Sequence, residues 1–175
     1  MTDRLPTDIP VFSFAGFSNS GKTTLLCKVV SALTEQGLRI ATIKHDGHQF
    51  SIDHEGKDTW KHRQAGAEFV AIISDDKTAM IDYRRQEKEK QLLDVLQYIK
   101  DVDLILIEGY KMWPIPKIFV IRNRAQIEEM RAIPMIEGIA TDFPLEEQSL
   151  PVYDINDVQT ICRYIVKRFA FKIEM

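Results

Sequence analysis

One stretch constrains the fold of this chain more than any other: Gly16-Phe17-Ser18-Asn19-Ser20-Gly21-Lys22-Thr23. It meets the pattern G-x-x-x-x-G-K-[ST] at every fixed position. Residues 11–15 before it (Val-Phe-Ser-Phe-Ala) are short, apolar and largely β-favouring, as a buried strand is. Residues 24–33 after it carry apolar side chains at helical spacing. Strand, glycine loop and helix in that order is the context this pattern requires.

The chemistry expected of such a loop follows from its backbone. Gly16 and Gly21 permit conformations that a Cβ hinders. The amides of the loop, through Ser18, Asn19 and Ser20, can then converge on phosphate oxygens, and the helix N-terminus adds partial positive charge. Lys22 is expected to reach β- and γ-phosphates and the Thr23 hydroxyl to ligate Mg²⁺. The plainer alternative is a glycine turn that merely precedes a helix.

With 175 residues the chain suits one domain, residues 1–175, with a sizeable core. A net charge of −3 excludes a global bias toward nucleic acid or an anionic membrane as partner. Residues 1–10 are polar, and no window approaches the roughly 18 apolar residues of a membrane span, so a cytoplasmic protein is expected. The two cysteines, Cys27 and Cys162, are too few and too far apart for a zinc site or a disulfide framework, and both read as packing residues.

Along the chain, Gly37 closes the first helix, and residues 38–43 read as a second strand. Residues 44–56 form a polar loop with three of the four histidines, and residues 57–65 a short helix ended by Gly66. Residues 69–73 and 78–83 read as a strand pair turned through Asp75-Asp76-Lys77, and residues 87–100 as an amphipathic helix. The run Leu104-Ile105-Leu106-Ile107 before Glu108-Gly109 has the character of a central strand buried on both faces. Further strands are expected at 117–121, 135–140 and 152–153, with helices at 125–131 and 158–169. The pattern predicts an α/β fold: three-layer αβα, with a mostly parallel central sheet and a local antiparallel addition.

Two further groups of residues bear on chemistry. A carboxylate ending an apolar strand, as Glu108 does, is where a nucleotide site places a second Mg²⁺-binding acid. The alternative is an acid that simply ends a strand, the reading given to Asp103 at the strand's other end. Lys44 could neutralise phosphate charge, and Asp46 could hold Mg²⁺ directly or through water. His45 and His48 lack cysteine partners or a regular ligand set, so metal ligation and a solvated turn both stand for this loop. Asp58 opens a helix, where acids favour the N-terminus. Trp113, between Lys111 and Lys117, reads equally as a partner-docking or a packing residue. Arg122-Asn123-Arg124 and Thr141-Asp142 each follow a strand and could reach a purine edge; the guanine motif N-K-x-D is absent.

Several stretches occur together in register: residues 16–23, Lys44-His45 with His48, Gly56-Lys57-Asp58, Ala65-Gly66-Ala67, residues 104–111 with Pro116-Lys117-Ile118, and Asp154-Ile155-Asn156-Asp157. In this combination the chain resembles the MobB family of molybdopterin-guanine dinucleotide biosynthesis adapter proteins over nearly its whole length. The resemblance implies a P-loop GTP-binding protein with weak GTPase activity, a homodimer, that assists the nucleotidyltransferase MobA in forming molybdopterin guanine dinucleotide. It implies GTP and Mg²⁺ as ligands, with molybdopterin or molybdopterin guanine dinucleotide as a candidate bound ligand. Carried over by residue, Gly16, Gly21, Lys22, Thr23 and Thr24 hold nucleotide, Glu108 serves Mg²⁺, and Lys44, His45, His48 and Asp58 line the crevice. Between His48 and Gly56 the chain departs from the family's pattern: Gln49 and Ser51 are neutral, and Glu55 stands where proline is frequent.

Two rival readings remain at this level. One is a small-molecule kinase or ATP-dependent ligase similar to dethiobiotin synthetase, which Lys44 and Glu108-Gly109 also fit. The other is a scaffold whose loop no longer binds nucleotide.

Overall fold

The computed structural model describes residues 5–47, 50–84, 88–145 and 149–173. In chain order the elements are β1 (Val11–Gly16), α1 (Lys22–Glu35), β2 (Ile40–Lys44), α2 (Asp58–Gln64), β3 (Phe69–Ile73), β4 (Thr78–Asp82), α3 (Lys88–Tyr98), β5 (Leu104–Glu108), β6 (Lys117–Val120), α4 (Gln126–Met130), β7 (Ile136–Thr141), β8 (Val152–Asp154) and α5 (Val158–Arg168). They fall into two compact units, Met1–His45 with Gln97–Met175, and Asp46–Leu96.

The larger unit is built on a six-stranded sheet in the order β2-β5-β1-β6-β7-β8, with every neighbouring pair parallel. Alternation along the strands sorts the core into two faces. Phe12, Phe14, Ile118 and Val120 pack with Leu25, Val29 and Leu33 of α1 and with Ile161, Cys162 and Ile165 of α5. Ala15, Phe119 and Ile121 point the other way and pack with Met130 of α4 and Ile139. Every residue of β5 is buried, the closing Glu108 included, as the unbroken apolar run of residues 104–107 leads one to expect of a strand covered on both faces. This is the expected three-layer αβα arrangement, with the glycine loop leaving the sheet at a central strand.

The helix ends obey the local signals. Gly37, at φ 89°, lets its N–H reach Thr34 O (2.9 Å) while Leu38 N–H reaches Leu33 O (3.2 Å), the paired bonds of a Schellman close. Asp157 caps α5 by accepting from Thr160 N–H at 3.1 Å.

In the smaller unit, β3 and β4 pair antiparallel from Phe69↔Asp82 to Ile73↔Thr78. The expected antiparallel addition is therefore present as a separate two-stranded sheet; its strands hydrogen-bond to each other and not to the central six. Cys162 is a buried packing residue, its thiol pushed up to about 11 by burial, but Cys27 lies on the exposed side of α1. No described helix is long and apolar enough to cross a membrane.

Candidate functional site

The glycine loop leaves β1 between its two sheet neighbours, β5 and β6. Gly16, at φ 155°, has no room for a side chain: a Cβ there would lie 2.5 Å from Val120 O and 2.9 Å from Ser20 Oγ. Asn19 turns through the left-handed region (φ 59°), and Gly21 (φ 89°) then opens α1. Asn and Gly are the residues that tolerate those angles best. No side chain caps α1 and no acid stands in its first turn, so the orphan amides of that turn are not spent on a cap. Thr23 and Thr24 are exposed on it, as are Ser18 and Asn19 on the loop, while Ser20 is buried.

Lys22 folds back over the loop. Its Nζ donates to Phe17 O at 2.6 Å and to Ser20 Oγ at 3.4 Å. Burial lowers its pKa from the ordinary lysine value; Glu108 opposes that shift, and the neighbouring charges of Lys44 and Lys111 add to it. An arriving polyanion would reverse the lowering, because it favours the charged form.

Glu108 ends β5 only 7% exposed. The Thr23 hydroxyl donates to its Oε1 at 2.8 Å. The β2–β5 register sets Lys44 beside it, with Nζ 3.9 Å from Oε1. The backbone closes the same corner: His45 N–H donates to Glu108 O at 2.9 Å, and a Cβ on Gly109 would lie 3.1 Å from both Cβ and O of His45. The His45 ring stacks on Tyr110 (4.2 Å between centroids), which meets Trp113 edge-on at 5.5 Å. Trp113 is thus partly occupied in packing.

A hydroxyl and a carboxylate 2.8 Å apart, beside a lysine, are the hard oxygen donors that Mg²⁺ takes. Mg²⁺ needs only one or two protein oxygens when phosphates and water complete its shell, so Thr23 and Glu108 fit that ion. Among the described residues, no three His, Cys, Asp or Glu side chains gather into a metal-holding group.

The larger unit thus brings together Gly16, Ser20, Gly21, Lys22, Thr23, Lys44, His45 and Glu108. Asp46 is the first residue of the other unit and is exposed. Asp58 stands in the first turn of α2, where Lys61 Nζ donates to its Oδ1 at 3.1 Å, matching its helix-terminus reading. His48 lies outside the described residues. Asp103 is structural: Arg39 holds it through its backbone N–H, Nε and Nη2, and those bonds bring its carboxyl down to about 2.

Two residues near the loop carried no such role in the sequence reading. Lys111 holds its Nζ 5.1 Å from the centroid of the Phe17 ring, adding a third cation beside Lys22 and Lys44. Arg122 follows β6 and donates from Nε to Ser20 O at 2.8 Å while pairing with Asp142. Those two contacts anchor Arg122 at the glycine loop. Neither contact has a sequence signal, since both join residues distant in the chain. Lys117 is wholly buried, donating to Trp113 O (2.8 Å) and Pro134 O (2.7 Å), and burial brings its pKa down to about 8.

These features define a parallel α/β domain with a glycine loop at the carboxyl end of a central strand, the edge where such sheets take ligands. Residues 11–142 match the family model of molybdopterin guanine dinucleotide synthesis protein B, MobB. The chain belongs to that family. It is 36% identical to the molybdopterin-guanine dinucleotide biosynthesis adapter protein of Escherichia coli over 165 residues, covering 92% of this chain and 94% of the relative. The protein of the same name from Haemophilus influenzae is 34% identical over 170 residues, covering 90% and 88%. The crystal structure of Bacillus subtilis MobB superposes with a TM-score of 0.76 at 28% identity, covering 91% of this chain and 98% of that one.

Proposed function

We propose that the protein is a guanine-nucleotide-binding adapter that serves a MobA-type nucleotidyltransferase in molybdopterin guanine dinucleotide biosynthesis, in the cytoplasm. The observation that carries the nucleotide part is the Thr23–Glu108 contact behind the glycine loop, with Lys22 folded over it. The adapter part rests on family membership and on the names of the relatives.

On this reading Lys22 exchanges Phe17 O for β- and γ-phosphate oxygens, and the loop amides and the first turn of α1 take the remaining charge. Thr23 and Glu108 would hold Mg²⁺, which would supply neutralisation of phosphate charge. Lys44 and Lys111 attract the polyanion to the glycine loop. Hydrolysis is expected to be slow, because among the described residues no glutamine or arginine is assigned to the attacking water or the transferred phosphoryl group. The relatives' printed names make molybdopterin guanine dinucleotide a second ligand to test. We also read the chain as a homodimer, a reading supported by the apolar side chains of Phe69, Ile73 and Met80 exposed on the β3–β4 sheet.

Calorimetric titration with Mg·GTP, Mg·ATP and metal-free GTP tests the reading. The expected result is binding that prefers GTP and strengthens with Mg²⁺. Absence of GTP binding, or a clear ATP preference, overturns the guanine reading, and fast acceptor-dependent turnover of ATP by the protein alone favours a small-molecule kinase or ligase.

A further inference from the structure

Arg122 sits one residue past the Ile121 that follows β6, and it ties three strand ends together. Its Nε donates to Ser20 O at 2.8 Å. Its Nη1 pairs with Asp142, one residue past β7. Its own backbone N–H donates to Gln126 Oε1 at 2.7 Å, which steadies the segment that carries it. The guanidinium lies against Gly21: a Cβ on that glycine would meet Arg122 Nη2 at 2.5 Å. The left-handed turn at Gly21 and the missing side chain there both leave space for this arginine.

The Arg122–Asp142 pair is not placed to contribute much stability. Its side chains are 37% and 41% exposed, and ion pairs so accessible to water are worth little. What the bond to Ser20 O does is directional. Ser20 C=O and Gly21 N–H belong to one planar peptide group, no peptide of the described chain is cis, and in a trans peptide the two groups point opposite ways. Drawing the carbonyl toward Arg122 therefore turns the Gly21 N–H away from it. A cationic donor on the carbonyl also polarises the peptide and makes that N–H a stronger donor.

We propose that Arg122, oriented by Asp142, is a positioning residue that aims and polarises the Gly21 N–H for the phosphates of a bound nucleoside triphosphate. The inference rests on the nucleotide reading above and deepens it. Arg122 touches no phosphate; it acts through the Ser20–Gly21 peptide. Asp142 keeps the guanidinium on the outer side of the loop and offsets its charge there. The loop is thus held in its binding shape before any ligand arrives, so less of the binding energy goes into ordering it.

The test compares Mg·GTP affinity and the amide ¹H–¹⁵N spectrum of the wild-type protein with those of Arg122→Ala, Arg122→Lys and Asp142→Asn. Arg122→Ala is expected to weaken Mg·GTP binding about tenfold, because the Gly21 N–H loses the aim and polarisation of its bond to phosphate, and to shift the Gly21 amide in the ligand-free protein while Leu25 and later amides of α1 hold their positions. Arg122→Lys, which keeps a cationic donor for Ser20 O, is expected to recover most of the affinity. Asp142→Asn, which keeps the arginine, is expected to fall between and guards against a failure of Arg122→Ala to fold, which melting curves report. Wild-type affinity and an unmoved Gly21 amide in all three variants overturn the positioning role while the nucleotide reading stands. A wild-type protein that binds no Mg·GTP overturns the nucleotide reading and this proposal together.

Discussion

Replacing Glu108 with glutamine separates the metal role of this side chain from a merely structural one. The amide oxygen of the variant can still accept the Thr23 hydroxyl, which now lies 2.8 Å from Oε1, and the volume is unchanged, so the melting temperature should move by only a few degrees. What disappears is one negative charge at a buried strand end. At about 5 Å and an effective dielectric of about 20, a unit charge is worth about 3 kcal/mol. Without Mg²⁺ the carboxylate repels phosphate, so the variant should bind metal-free GTP more tightly, by up to about a hundredfold. With Mg²⁺ present the variant lacks a ligand, and affinity should fall about tenfold or more. The ratio of the two affinities should therefore collapse. Lys22 gives a second readout. Glu108 partly opposes the lowering of the Lys22 pKa, so in the variant the ammonium deprotonates at lower pH and GTP binding should fade earlier as pH rises. Calorimetry at several pH values, with Mg²⁺ and with EDTA, measures all three effects. A variant whose Mg²⁺-dependent gain in affinity matches the wild type refutes the metal role.

Other perturbations follow from the same geometry. Gly16→Ala should abolish nucleotide binding and destabilise the fold, because its Cβ would meet the main-chain oxygen of Val120 at 2.5 Å and backbone cannot step aside; circular dichroism melting alongside titration measures both. Leu106→Ala, in the wholly buried β5, should cost about 2–5 kcal/mol in chemical denaturation. Lys117 releases its proton near pH 8 when folded and near 10.5 when unfolded. The unfolded chain therefore holds the extra proton between those values, and stability should rise with pH through that window, by at most about 3 kcal/mol; Lys117→Met should remove the rise in urea titrations across pH 7–11. Ile73→Glu on the exposed face of the β3–β4 sheet should shift a dimer toward monomer in light scattering while leaving nucleotide affinity intact.

Much of the larger unit was legible in the sequence because its signals are local. The 16–23 spacing, the unbroken apolar run of β5, the alternation of Phe12 and Phe14 and the Gly37 close of α1 each act over a few residues, and the elements begin and end within a residue or two of expectation. Glu108 was legible for the same reason, as an acid at the end of an apolar strand. What escaped depends on contacts between distant segments. A hairpin pattern says that β3 meets β4 but not whether it joins another sheet. Cys27 fits the helical period of α1 yet falls on its exposed side. Arg122 meets Ser20 across 102 positions, and no pattern in either neighbourhood announces the pair. The burial of Lys117 is equally silent, because its two acceptors are backbone carbonyls of a loop and a turn.

The most direct measurement is a crystal structure of the protein with Mg²⁺ and a non-hydrolysable GTP analogue. The β- and γ-phosphates are expected inside the 16–23 loop, with Lys22 Nζ moved from Phe17 O to phosphate oxygen and the metal held on Thr23 and Glu108. A nucleotide bound elsewhere, or one bound while Lys22 still donates to Phe17 O, contradicts this arrangement.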